Sequence, residues 1–170
     1  VNKVISDADI VLQVIDARFL NETRNLEIED KVADKGKVLI TVVNKSDLVN
    51  KEQLEKHLRK AVRVVFVSSK DHHGFGILRE RIQIEAKKLG WDRPRVGVLG
   101  YPNVGKSSVI NALKGRASAK TSSESGYTKA LQNVRAGNII LIDAPGVIPY
   151  EEKDKLKMAK VGSIDYGKIK

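Results

Sequence analysis

The apolar run Val96–Leu99 feeds directly into Gly100-Tyr101-Pro102-Asn103-Val104-Gly105-Lys106-Ser107, and this junction narrows the possible folds more than any other stretch of the chain. The octet has the form G-x-x-x-x-G-K-S. Its glycines admit backbone torsions that turn amide groups onto phosphates, and its lysine reaches the β/γ oxygens. Such a loop needs a strand before it and a helix after it, because the helix N-terminus supplies aligned amides and a dipole favourable to anions. Strand, loop and helix in that order form a unit of a parallel α/β sheet, so the rest of the chain should alternate in the same way.

It does. Ile10–Ile15, Val38–Val43, Val62–Val67 and Val96–Leu99 read as buried strands. Leu131–Val134 and Ile139–Ile142 flank Ala136-Gly137-Asn138, a hairpin signal. Phe75, Leu78, Ile82, Ala86 and Leu89 recur at helical spacing, with Gly90 as the closing residue. Leu54 and Leu58 mark a shorter helix, and Ile110 and Leu113 another that Lys106 opens and Gly115 stops. The expected fold is α/β and three-layered: a mainly parallel six-stranded sheet, doubly wound, of the P-loop NTPase type. Gly90–Pro94 reads as a connector, with Trp91 as a packing anchor, and Gly115–Thr128, rich in Ser, Gly and Thr, as a long mobile loop.

Three further motifs sit at strand ends, where α/β sheets place ligands. Asn44-Lys45-Ser46-Asp47 follows Val38–Val43 and has the form of the guanine-reading N-K-x-D element of GTPases. A carboxylate at Asp47 accepts two hydrogen bonds from guanine, at N1–H and the exocyclic amine; adenine offers neither donor and leaves the carboxylate unpaired. Ser68-Ser69-Lys70 follows Val62–Val67 at the place where a backbone N–H meets guanine O6. Asp143-Ala144-Pro145-Gly146 follows Ile139–Ile142 and matches D-x-x-G, with Asp143 holding Mg²⁺ and the Gly146 amide sensing the γ-phosphate. The phosphate side is then Asn103, Val104, Gly105, Lys106, Ser107 and Ser108, with Ser107 a Mg²⁺ ligand and Lys106 a catalytic cation. Thr128, in Gly126-Tyr127-Thr128 before a strand, is the candidate to complete the Mg²⁺ shell and is favoured over Thr121. After Gly146 stands Val147, where many small GTPases carry a water-orienting glutamine, so intrinsic hydrolysis should be slow. Asn103 is a candidate to hold K⁺ beside the phosphates in place of an arginine finger. His57, His72 and His73 read as surface residues, since the adjacent pair lacks helical metal-ligand spacing.

The order is unusual: the base reader precedes the phosphate loop, whereas an ordinary GTPase has it after. Composition adds a second constraint. The net charge is +10 and aromatics are 5%, which suits an anionic partner bound through phosphates better than a stacking platform for single strands. Lys114, Arg116, Lys120, Lys129 and Arg135 stand against Glu124 alone between positions 114 and 135. The chain has no cysteine, which excludes disulfides and thiolate metal sites and fits a reducing compartment. No apolar run approaches the roughly 20 residues of a membrane helix, so a cytoplasmic protein is expected.

The series N-K-S-D, S-S-K, G-Y-P-N-V-G-K-S-S-V-I-N, G-Y-T, D-A-P-G resembles the circularly permuted GTPases of the YlqF/YawG type, as does Asp16-Ala17-Arg18 followed by Arg24-Asn25. The resemblance runs from about Asp7 to Gly162 and includes the hydrophobic residue at 147. It implies a GTP hydrolase that binds GTP, GDP and Mg²⁺, assists assembly of the large ribosomal subunit, contacts rRNA and in several members is stimulated by K⁺. Leu20 departs from the pattern, which has proline there. The family usually continues into a C-terminal RNA-binding domain, so residues 1–170 read as one permuted GTPase domain, with 151–170 a lead-in to a region outside this chain. Two rival readings are a nucleotide-dependent binding switch with negligible hydrolysis, and a P-loop ATPase or kinase, against which Asn44–Asp47 argues.

Overall fold

The computed structural model describes residues 1–58, 63–115 and 132–143. Six strands form one sheet in the order β3-β2-β1-β4-β6-β5. They are β1 (Ile10–Asp16), β2 (Val38–Asn44), β3 (Val64–Phe66), β4 (Arg95–Leu99), β5 (Gln132–Ala136) and β6 (Ile139–Asp143). All neighbours are parallel except the β5–β6 hairpin, which turns at Gly137 in the left-handed region (φ 65°). Parallel strands are covered on both faces, which is why β1 is buried along its whole length and reads as an almost unbroken apolar run.

Helices α5 (Phe75–Lys88) and α6 (Lys106–Lys114) lie on one face, where Leu78, Ile82, Ile110 and Leu113 pack against Leu12, Val42 and Val98. On the other face α1 (Asn2–Asp7) and α3 (Leu26–Asp34) place Val4, Ile5, Ile28 and Val32 against Val11, Leu99 and Ile142. Each such side chain contributes about 1.5–3 kcal/mol on full burial. Gly97 in β4 is fitted to α1: a Cβ there would lie 2.7 Å from Val4 Cγ1. A short α2 (Leu20–Thr23) and α4 (Lys51–Leu58) complete the described helices.

The path explains where a ligand can enter. The chain steps outward from β1 to β2 to β3, then returns across the sheet to β4 on the other side of β1. The order therefore reverses between β1 and β4, and the carboxyl ends of these strands open a crevice there. The six strands and the hairpin follow the sequence reading, with β3 shorter than the run Val62–Val67 and Val62 outside the described residues.

Helices α1, α2 and α3 depart from that reading, which placed no helix in these stretches. Trp91 departs as well: its side chain is half exposed, and what closes α5 is its backbone N–H on Ala86 O (2.9 Å) together with Gly90 at φ 76°. His72 and His73 are exposed, as expected; the side chain of His57 lies outside the described residues. The loop from residue 116 through Thr128, and the segment 151–170, also lie outside the described residues. Among the described residues no helix is long and apolar enough to cross a membrane.

Candidate nucleotide-binding site

Asn44 closes β2 and is the hub of the crevice. Its backbone is fixed by pairing with Asp16 and by Ala17 N–H on Asn44 O (2.9 Å). Its side chain is buried, donates from Nδ2 to Val104 O (3.0 Å) and accepts at Oδ1 from Ser69 N (3.2 Å) and Ser69 Oγ (3.0 Å). One amide thus ties the phosphate loop to the Ser68–Lys70 turn, two segments that the sequence keeps far apart. The next residue, Lys45, takes a left-handed conformation (φ 61°) and turns the chain into a 3₁₀ turn, Ser46–Leu48. Ser46 secures that turn by donating Oγ–H to Val67 O (2.9 Å).

Asp47 projects from this turn and is exposed, available to a ligand. Ser68 Oγ lies 2.9 Å from Asp47 Oδ1 and 3.2 Å from Asp71 Oδ2, and accepts Asp71 N–H at 3.2 Å. The Ser68–His73 backbone bridge closes this second turn, with N–H to O distances of 3.0 and 3.1 Å. Gly74 is required where the turn enters α5: at φ 82°, a Cβ would fall 2.2 Å from Phe66 O.

The phosphate loop leaves β4 and enters α6 at Lys106. Tyr101 and Val104 are buried in the core and pin the loop from below. Gly105 caps the helix at φ 95°, and a Cβ there would lie 2.3 Å from Asn44 Nδ2. Ser107 and Ser108 occupy the exposed first turn of α6, and Lys106 is half-buried beside them. Asp143 ends β6, with Val98 as its strand partner, so its backbone stands beside the strand that leads into the loop. Thr128 and Gly146 lie outside the described residues, as does Val147.

A cavity of about 450 Å³ lies among these parts, lined by Asn44, Lys45, Asp47, Leu48, Ser69, Lys70, Gly105 and Ser108. It falls in the size range of small-molecule sites. Seven of its eight lining residues belong to the predicted motifs; Leu48, half exposed, adds an apolar wall that the sequence reading did not single out. A second groove, about 300 Å³ between Arg93 and the β5–β6 hairpin, includes no motif residue.

The sequence reading also gave no role to the Asp16 carboxylate, which is buried at the end of β1. It accepts Arg18 N–H (3.0 Å) and Arg18 Nε–H (3.0 Å) at Oδ1, and Arg18 Nη2–H (2.8 Å) and Lys45 Nζ–H (2.8 Å) at Oδ2. Burial pushes this carboxyl up, but the hydrogen bonds from Arg18 and Lys45 outweigh it and hold Asp16 below the ordinary carboxylate range. Lys45 Nζ also donates to Asn103 O (3.0 Å) in the phosphate loop. The available cues were a charged residue closing an otherwise buried strand and the Asp16-Ala17-Arg18 stretch noted for its resemblance, to which no role was attached.

Comparison with known proteins agrees with this geometry. Residues 95–165 match the family described as 50S ribosome-binding GTPase. The chain is 49% identical over 158 residues to an uncharacterized GTP-binding protein, MJ1464, of Methanocaldococcus jannaschii, covering 92% of this chain and 42% of that protein. It is 39% identical over 162 residues to nucleolar GTP-binding protein 2 of Neurospora crassa, covering 89% of this chain and 26% of that one. The chain therefore spans under half the length of these relatives, one of which is named for the nucleolus rather than for the cytoplasm. The crystal structure of GNP-bound YlqF from T. maritima superimposes with a TM-score of 0.65 at 25% identity, over 99% of this chain and 66% of that one. With its base-reading turn ahead of its phosphate loop on a shared fold, the chain is similar in motif order and architecture to the circularly permuted GTPases of the YlqF type.

Proposed function

We propose that the chain binds GTP and GDP in the cavity at the β1–β4 reversal, hydrolyses GTP slowly when alone, and serves assembly of the large ribosomal subunit. The observation that carries this reading is Asn44, whose side chain joins the Asp47 turn, the Ser69 turn and the phosphate loop around one cavity. Asp47 takes the guanine N1–H and amine, and O6 takes the Ser69 N–H in exchange for its contact with Asn44 Oδ1. Lys70 and Leu48 flank the base. The amides from Asn103 to Ser108 and the α6 N-terminus cradle the phosphates, and Lys106 offsets charge on the β/γ oxygens.

The donor set fits Mg²⁺, which prefers a hydroxyl, one or two carboxylates and phosphate oxygens. Ser107 stands at the first turn of α6 and Asp143 at the adjoining strand end, with Thr128 as the third protein group. When bound, Mg²⁺ neutralises charge that builds on the transferred phosphoryl group. The Gly146 amide reports the γ-phosphate, and Val147 cannot orient the attacking water, so turnover is slow without a partner. K⁺ held near Asn103 is the proposed substitute for an arginine finger; equal rates in K⁺ and Na⁺ count against it. The net charge of +10 supports a ribosomal RNA partner. Val147 also favours a second reading, a nucleotide switch with negligible hydrolysis.

Calorimetry with GDP, a GTP analogue and ATP, with and without Mg²⁺, tests the binding claim: guanine nucleotides bind tightly and ATP only weakly. Single-turnover phosphate release, with and without large ribosomal subunits, separates the slow enzyme from the pure switch. Release accelerated by the particles supports the enzyme, and none under either condition supports the switch.

A further inference from the structure

We infer that Asp16 and Arg18 are positioning residues for guanine-nucleotide binding: they lock Lys45 in the one pose that joins the base-reading turn to the phosphate loop. The inference rests on the nucleotide reading of the cavity and adds a part to it.

Lys45 is the element that needs holding. Its φ of 61° is a conformation that residues other than glycine avoid, and its long side chain has many rotamers. Yet its ammonium is committed at both ends of the crevice, to Asp16 Oδ2 (2.8 Å) at β1 and to Asn103 O (3.0 Å) in the phosphate loop. Its side chain is 27% exposed and lines the cavity. Fixing the ammonium therefore fixes one wall of the cavity.

Asp16 is built to do the fixing. Its backbone is held opposite Asn44 in the sheet, and its own N–H donates to Thr23 Oγ1 (3.0 Å), which in turn donates to Phe19 O (2.6 Å). A carboxylate offers about four acceptor sites. Arg18 fills three of them, through its N–H, Nε–H and Nη2–H, and leaves the fourth, on Oδ2, for Lys45. The planar fork sets the rotation of the carboxylate, and the Phe19 ring beneath the guanidinium (5.2 Å) steadies the fork. With Arg18 in place the remaining lone pair points at one spot. Without it, Asp16 can rotate or draw Lys45 off Asn103 O.

Because the device acts on a wall and not on the base edge or the phosphates, it governs the affinity for every guanine nucleotide alike. It does not set the guanine-over-adenine preference. The test is a double-mutant cycle by calorimetry on Asp16→Asn, Lys45→Met and the double variant, titrated with GDP and with a non-hydrolysable GTP analogue. Each single change should weaken both ligands about 10-fold, and the double should be no weaker than the worse single, about 10-fold instead of about 100-fold. The guanine-over-adenine ratio should stay where it is. A second cycle, Arg18→Met against Lys45→Met, gives the same reading from outside the buried carboxylate should Asp16→Asn not fold. Additive losses in the cycle, or wild-type GDP affinity in Asp16→Asn, overturn the inference. Wild-type protein that binds no GDP overturns the nucleotide reading itself and this inference with it.

Discussion

Removing the Asn44 side chain should loosen both halves of the site at once. In Asn44→Ala three hydrogen bonds vanish: Nδ2–H to Val104 O, and the two from Ser69 to Oδ1. Each is worth about 0.5–1.5 kcal/mol net, and each donor or acceptor left buried and unpaired costs about 1–3 kcal/mol. Ser69 is only half-buried and faces the cavity, so water can refill its contacts. Val104 lies in the core, and its carbonyl is less easily rescued. The expected loss is therefore about 2–4 kcal/mol of folding stability. With a urea slope of about 2 kcal/mol per molar, the unfolding midpoint should fall by roughly 1–2 M. Asn44→Asp should do no better, because its second oxygen would face the Val104 carbonyl where a donor is needed. GDP affinity should drop in the same variants, since the phosphate loop and the Ser69 turn lose their shared anchor. A midpoint within 0.2 M of wild type, together with unchanged GDP affinity, would refute the reasoning.

Other outcomes follow from single contacts. Gly105→Ala places a methyl group 2.3 Å from Asn44 Nδ2 at a φ of 95°, so it should cost about 2 kcal/mol or more and weaken GDP at least 10-fold by calorimetry. Ser68→Ala removes the hydroxyl between Asp47 and Asp71, and should weaken GDP about 3- to 10-fold while leaving the weak affinity for ADP unchanged. Asp16 and Glu85 are both buried carboxyls held below their ordinary range: desolvation raises each, and the cationic partners prevail, Arg18 and Lys45 for Asp16, Lys88 and Arg63 for Glu85. Their folded pKa values lie below the unfolded ones, so the unfolded chain binds more protons as acid is added. The stability they contribute is present above about pH 4 and fades as pH falls through the folded values. Urea midpoints at pH 7, 4 and 3 should show that fall, and a Glu85→Gln variant, less stable at pH 7, should show a shallower one.

The strands were legible because a parallel sheet is buried on both faces and writes its strands as apolar runs. Even Gln13, the polar interruption in β1, stays buried, its Nε2–H donating to Asn25 O (2.7 Å). The phosphate loop and the Asp47 turn were legible because their residue types are dictated by torsions and by ligand chemistry. Helix α3 was not, since only Ile28 and Val32 are buried in a segment otherwise charged or exposed. Its surer sign was local: Asn25 Oδ1 caps the helix by accepting Ile28 N–H (3.1 Å). Helix α1 left a weaker trace, because it buries only Val4 and Ile5 against a glycine in β4. Trp91 misled because a large aromatic beside a glycine suggests an anchor, whereas here the backbone does the work and the ring stays half exposed. The Asp16–Lys45 contact depends on β1 lying beside β2, a fact of strand order that no local pattern carries.

One titration bears on the central claim most directly: GDP, xanthosine diphosphate and ADP, each measured by calorimetry against wild type and Asp47→Asn. If Asp47 reads the purine edge, wild type binds GDP and neither of the others tightly, while Asp47→Asn loses GDP and gains the xanthine nucleotide. The same ligand ranking in both proteins, or ADP bound as tightly as GDP by wild type, would contradict it.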